Sequence, residues 1–198
     1  MDYGQFSLLL HQMKYLIVGL GNIGDEYAHT RHNIGFDIAD ALVEKYKENY
    51  KTDRYADLAE ISLRGRHLFV IKPNTYMNLS GKAVRHWMQQ LKLKPENIFV
   101  LVDDLAIPFQ KIRIRGNGSD AGHNGLKSIQ ELILTQNYPR LRFGIGNNFP
   151  KGRQVDFVLG KWGNEELIEL PSLIQKSVQA IETFALRGLA ASMNEFNK

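Results

Sequence analysis

Hydrophobic and polar positions alternate between two spacings along the chain, and the spacing changes at recognisable punctuation. Residues 14–18 form a short β-rich apolar run that ends in Gly19, which predicts a buried strand. Residues 33–46 carry Ile34, Ile38, Ala41, Leu42 and Tyr46 at helical spacing. Residues 58–63 and 67–71 flank Arg64-Gly65-Arg66 and read as a hairpin. Ser80 is expected to cap a helix through Val84, Trp87, Met88 and Leu91 that stops before Pro95. Residues 98–102 are a wholly apolar strand ending in Asp103-Asp104, where a strand's carboxyl end would meet a site. A strand over 111–115, a polar Gly-rich loop over 116–122, a helix over 126–134 and a strand over 141–145 follow. Asn164 is expected to cap a long helical region, with a break or restart at Pro171. The order β-α-ββ-α-β-β-α-β-α predicts an α/β single-domain sandwich. Its central sheet should be mixed and mostly parallel, with helices on both faces.

Composition narrows the chemistry. The 198 residues are 43% hydrophobic and 23% charged, enough for a full core in one domain. The chain has no cysteine, so disulfides, thiolate nucleophiles and Cys-ligated zinc are excluded together, in keeping with a cytoplasmic location. Apolar runs such as 16–18 and 98–102 are far too short to span a bilayer, so no membrane association is expected. Residues 1–13 have no basic start and no small-residue cleavage site. They read as an N-terminal extension that need not be ordered, with Met13 offering an alternative start, and 14–198 as the domain. The net charge of +4 permits an anionic partner without demanding one. Lys111, Arg113 and Arg115 alternate with Ile112 and Ile114, which in a strand would place all three cations on one face. That pattern suits a solvated strand face, and the nearby His123-Asn124 island adds the possibility of an anion site.

Asn and His recur in three Gly-containing islands: Gly19 to Asn22 with Thr30-Arg31-His32-Asn33, Tyr76 to Gly81, and Gly122 to Gly125. Histidine takes a proton near neutral pH, and asparagine offers a donor and an acceptor that stay neutral. Such a set suits bond cleavage by water. No HExxH and no carboxylate cluster accompanies the histidines, so no metal is expected. No G-x-S-x-G elbow is present. Gly19 to Gly24 fits G-x-G-x-x-G after a strand, which raises a dinucleotide-dependent oxidoreductase as a rival. That motif needs a helix opening within the glycines and an acid on a second strand. Here the glycines run into Asp25-Glu26-Tyr27, and Asp40 and Glu44 fall inside the expected helix.

The segments LIVGLGNIGDEYAHTRHNIGF, NTYMNLSGKAV, FVLVDDL and GHNGLKSI, in this order and with these separations, resemble the signature blocks of bacterial-type peptidyl-tRNA hydrolases. The resemblance runs from about Lys14 to the C-terminus and weakens after Gly160. It implies hydrolysis of the ester between peptide and tRNA in peptidyl-tRNA released from the ribosome, by a monomeric enzyme with no cofactor. By the same resemblance His32 matches the catalytic base, Asp103 the acid that orients it, and Asn22 an oxyanion donor. Asn78, Asn124, His123, Tyr27 and Tyr76 match substrate-binding positions, with His123 linked to the acceptor end of the tRNA. Lys111, Arg113, Arg115 and Arg142 stand where the family meets the tRNA 5′-phosphate. The chain departs from the pattern at Ala106 and Gln110, where relatives often carry Asp and Gly, and at Ser119-Asp120-Ala121, where Gly is common. A non-catalytic RNA-binding relative is the second rival, and intact His32 and Asp103 argue against it.

Overall fold

The computed structural model describes residues 13–198. Residues 1–12, expected as an extension, lie outside the described residues, and Met13 opens the first strand. Seven strands form one sheet: β1 (Met13–Gly19), β2 (Lys51–Asp53), β3 (Ala56–Leu63), β4 (Arg66–Pro73), β5 (Ile98–Asp104), β6 (Ile112–Arg115) and β7 (Arg140–Gly144), in the order β2-β3-β4-β1-β5-β7-β6. The central strands β4, β1, β5 and β7 are mutually parallel. The outer pairings are antiparallel. The helices are α1 (Ile34–Lys45), α2 (Ser80–Leu91), α3 (Asn124–Ile133), α4 (Gln154–Val158), α5 (Asn164–Arg187) and α6 (Leu189–Phe196).

Strand alternation divides the core into two layers. Tyr15 and Ile17 of β1 pack with α1 and α5, together with Leu141 and Phe143 of β7. Leu16 and Val18 pack on the other face with Ala83, Val84 and Trp87 of α2 and with Leu126 and Ile129 of α3. A strand buried on both faces reads as a continuous apolar run, which is why 14–18 and 98–102 were legible. The β3–β4 hairpin pairs Leu63 with Arg66 around Arg64 and Gly65, whose φ values of 44° and 80° are those of the turn that matches strand twist.

Several expectations are corrected. Ser80 is not a cap: it is the first residue of α2, fully buried, and its hydroxyl donates to Met77 O at 2.8 Å. The cap of α5 is Gly163 rather than Asn164, with Glu166 Oε2 accepting from Gly163 N at 2.6 Å. Pro171 does not break α5; the break comes at Gly188, with φ 87°. Proline costs most where its missing N–H and ring disturb packed turns, and Leu167, whose carbonyl loses its partner, is half exposed. Lys111 lies before β6 rather than in it. The edge strand β2 and the short helix α4 carried no periodic signal and were not anticipated. No helix among the described residues is long and apolar enough to cross a membrane.

The topology opens one crevice. After β1 the chain turns to α1 on one face, and after β4 it turns to α2 on the other. Neighbouring strands thus part at their carboxyl ends, the place where open α/β sheets bind ligands. Gly35 fixes how near α1 comes: a Cβ there would lie 2.4 Å from Leu20 N and 2.5 Å from Leu101 O. Only glycine lets the helix start sit against the backbone of β1 and β5.

Candidate active site

The crevice is a cleft of about 370 Å³ lined by Asn22, His32, Tyr76, Met77, Asn78, Asp103, Asp104, His123 and Asn124, with Val155, Val158 and Leu159 among its apolar wall. Its residues come from all three Asn/His islands and from the end of β5, so the structure assembles in space what the sequence scatters.

Asp103 organises the floor. It is 5% exposed and accepts hydrogen bonds from two rings: His32 Nδ1 at 2.9 Å and His123 Nε2 at 3.0 Å. Burial pushes its pKa up, but the charges and hydrogen bonds of the two histidines outweigh this and hold it well below the usual carboxylate range. An ionised carboxylate only accepts, so both facing nitrogens carry protons. His32 is thereby held with Nδ1 protonated and Nε2 as its free lone pair. Burial lowers the His32 pKa, yet the Asp103 charge and hydrogen bond prevail and leave it raised above 6.5.

His123 uses both ring nitrogens on the protein. Its Nδ1 accepts from Gly125 N at 3.1 Å and, more weakly, from Leu126 N at 3.4 Å, so the ring caps α3. The other nitrogen, Nε2, carries the ring proton and faces Asp103. Only the ring itself is left for a ligand, and it lies 4.8 Å from the His32 ring. The capping role was not anticipated from sequence, because histidine is not among the usual cap residues.

Asn22 is held at three points. Its N–H donates to Asn33 Oδ1 and its carbonyl accepts from Asn33 Nδ2, each at 2.9 Å. Its own Oδ1 accepts from Met77 N at 2.8 Å. With the oxygen engaged, the Nδ2 group is the free donor. Asn33, 2% exposed and next to His32 in the chain, is the residue that holds Asn22, and the sequence reading gave it no role. The signal was present, since a polar side chain at the start of an apolar helix face must find partners.

The other expected residues divide. Tyr76, Asn78 and Asn124 line the cleft. Tyr27 does not; it lies in the short turn Asp25–Tyr27, and its carbonyl accepts from the Thr30 hydroxyl. Arg113 and Arg115 project from β6 opposite buried Ile112 and Ile114, and Arg113 pairs in register with Arg142. Lys111, one residue before the strand, is exposed, and its carbonyl accepts from Gly144 N at 2.9 Å. Arg142 is ion-paired through Nε with Asp104. Arg140, unremarked in the sequence, is buried beside them. Its guanidinium donates to Gly118 O at 3.0 Å and Gln136 O at 2.7 Å, which ties down the Gly-rich loop. Gln110 and Ala121, which fall where the sequence was expected to depart from the family pattern, hold φ values of 74° and 52°. The chain keeps a left-handed backbone there at a cost of about 1–2 kcal/mol each.

The glycines of Gly19 to Gly24 lead into the 3-10 turns Asp25–Tyr27 and Arg31–Asn33 before α1 begins, so no helix N-terminus is presented to a pyrophosphate. His32, Asp103 and His123 could bring three ligand atoms within 4.8 Å of one another. Asp103 and the two ring nitrogens that face it are engaged with one another, and His32 Nε2 is left open.

A histidine pinned by a buried carboxylate at a strand end, with an amide donor in the same cleft, is an arrangement suited to the general-base chemistry of hydrolases. Comparison with known proteins gives the family. The sequence model described as peptidyl-tRNA hydrolase matches residues 16–198. The peptidyl-tRNA hydrolase of Phocaeicola vulgatus is 53% identical over 186 residues, covering 94% of this chain and 100% of the relative. That of Porphyromonas gingivalis is 53% identical over 185 residues, covering 93% and 100%. The crystal structure of peptidyl-tRNA hydrolase from Acinetobacter baumannii superposes with a TM-score of 0.87 at 34% identity, covering 92% of this chain and 94% of that one. The chain belongs to the peptidyl-tRNA hydrolase family.

Proposed function

We propose that this chain cleaves the ester joining a peptide to the terminal ribose of tRNA, in peptidyl-tRNA released from the ribosome, with water activated by His32. The observation that carries the mechanism is the His32–Asp103 hydrogen bond at the floor of the cleft, which fixes the ring with its basic nitrogen free. Water gives its proton to His32 Nε2 and attacks the ester carbonyl. Asp103 stabilises the imidazolium as it forms. The Asn22 amide donates to the developing oxyanion, a contribution of roughly 3–4 kcal/mol for such a donor. The proton then passes to the departing ribose oxygen. Asn78, Asn124 and Tyr76 would hold the peptide and the acceptor end along the cleft without a charge penalty. Tyr27 lies outside the lining and would act through the turn it anchors. The reading is tested by incubating the purified protein with a labelled N-blocked aminoacyl-tRNA and scoring free tRNA.

The proposed chemistry uses no metal and no organic cofactor. Hydrolysis should therefore persist after exhaustive dialysis against EDTA, with the tRNA fold maintained by a monovalent salt. Activity lost to the chelator and restored by zinc would move the three-residue cluster at Asp103 from a base-orienting role to a metal site.

Arg113, Arg115 and Arg142 would grip the 5′-phosphate of the tRNA, with Asp104 taking Arg142 Nε and leaving its terminal nitrogens for the anion. Lys111 would add charge nearby. Alanine at each arginine should raise KM for full-length substrate and flatten the salt dependence of binding by roughly 0.7–0.9 in slope per lost contact. A minimal peptidyl ester without the phosphate should be cleaved as before. An equal loss on that minimal ester would assign these arginines to the fold or to the catalytic floor. We propose that the chain works as a monomer in the cytoplasm, where translation releases the substrate.

A further inference from the structure

We propose that Arg31, which no step of the hydrolysis uses, is the positioning residue that sets the apolar wall of the cleft and with it the grip on the peptide. The wall is α4 and the residues after it, through Val155, Val158 and Leu159. This helix has five residues and none of them is fully buried, so neither length nor burial holds it in place. Only Phe157 and Val158 pack partly against the core.

What holds it is the residue before the base. Arg31 N donates to Gly160 O at 3.1 Å, and Arg31 Nη1 donates to Lys161 O at 2.7 Å. Arg31 Nη2 meets Glu166 Oε2 at 2.6 Å, and the same carboxylate oxygen caps α5 through Gly163 N. The guanidinium lies 4.4 Å from the Phe157 ring centroid and 5.3 Å from that of Trp162. Its side chain is 11% exposed, so these charge-assisted bonds form in a largely dry setting where they are strong. Thr30 forms a β-bridge with Lys161 on the adjoining side. The two neighbours of His32 thus lock opposite parts of the cleft: Asn33 fixes Asn22, and Arg31 fixes α4.

Val155, Val158 and Leu159 suit peptide side chains and offer nothing to a ribose or a phosphate. Loosening the wall should therefore weaken binding in proportion to how much peptide the substrate carries, with little effect on the chemical step. This specificity rests on the functional reading above; the clamp on α4 does not.

The test compares Arg31→Met, Arg31→Lys and Glu166→Gln with the parent. Amide hydrogen exchange of 154–160 should quicken in Arg31→Met and Glu166→Gln while β1 and β5 keep their protection, and Arg31→Lys should recover part of the difference. On tRNA carrying an N-blocked peptide of several residues, KM should rise roughly tenfold in Arg31→Met, the size expected from losing a charge-assisted hydrogen bond. The rise should be smaller on N-blocked aminoacyl-tRNA, with kcat unchanged on both. Unchanged exchange at 154–160 would overturn the clamp. A fall in kcat equal on both substrates, with KM unaltered, would show that Arg31 acts through His32 instead. If Arg31→Met melts early, Glu166→Gln carries the same comparison from the other end of the ion pair. The exchange measurement needs no substrate, so a parent protein that releases no tRNA would overturn the function while the clamp is still decided.

Discussion

Alanine at His32 should slow ester hydrolysis by about 10²–10⁴-fold, the span that a positioned general base supplies. The ring lines the cleft, and its Nδ1 is committed to Asp103, which leaves Nε2 as the proton acceptor. None of the neighbouring groups can replace it. Asp103 is buried beneath both rings, and His123 spends its Nδ1 on the amides at the start of α3. The fold should survive the change, because His32 belongs to neither hydrophobic layer and sits in a short turn ahead of α1. Binding of tRNA should survive as well, since Arg113 and Arg115 stand on β6, away from the cleft lining. Release of labelled tRNA, thermal melting and filter binding of deacylated tRNA on the same preparation separate these statements. Turnover near that of the parent would remove His32 from the mechanism. Loss of binding together with turnover would make it a structural residue.

The architecture was legible because most of its strands and helices obey one period each. The doubly buried strands β1 and β5 appear as unbroken apolar runs, and α1 shows its buried stripe every three to four residues. The elements that escaped, β2 and α4, bury no residue completely, so no hydrophobic pattern marks them. Capping was misjudged at Ser80 and Asn164 for a related reason. Cap preferences are local, whereas tertiary contacts decided the helix starts: Ser80 was drawn into the core beside Met77, and Glu166 turned back to Gly163. The floor of the cleft was legible as residue types around glycine. The pairing of Asp103 with His32 was expected from the family resemblance and is present; the second bond, from His123, was not expected, because it forms only when the start of α3 meets the end of β5. The roles of Arg31 and Arg140 lie in contacts with α4 and with the Gly-rich loop, and nothing in their own neighbourhoods in the chain announces such partners.

Asparagine at Asp103 should lower turnover at about pH 8 by roughly 10²-fold or more, as expected when a base loses its correct tautomer. The parent carboxylate accepts from two ring N–H groups at once. An amide offers one oxygen and one NH₂, so the two rings compete for the oxygen. If the NH₂ faces His32 Nδ1, the ring proton moves to Nε2 and no lone pair faces the water. The pH profile gives a second, independent signature. In the parent, burial lowers the His32 pKa but Asp103 overcomes it, so the acid limb of kcat/KM should lie above pH 6.5, with activity rising as the ring deprotonates. In the variant only burial remains, and the limb should move below 6.5. The variant's deficit should therefore shrink as the pH falls toward about 5, since its ring stays neutral where the parent's is protonated. Titration of kcat/KM for both proteins on one N-blocked aminoacyl-tRNA reads the two effects together. A variant whose limb stays with the parent's would show that Asp103 sets the orientation of His32 without setting its charge. Unchanged turnover and an unchanged limb together would place the carboxylate outside the mechanism.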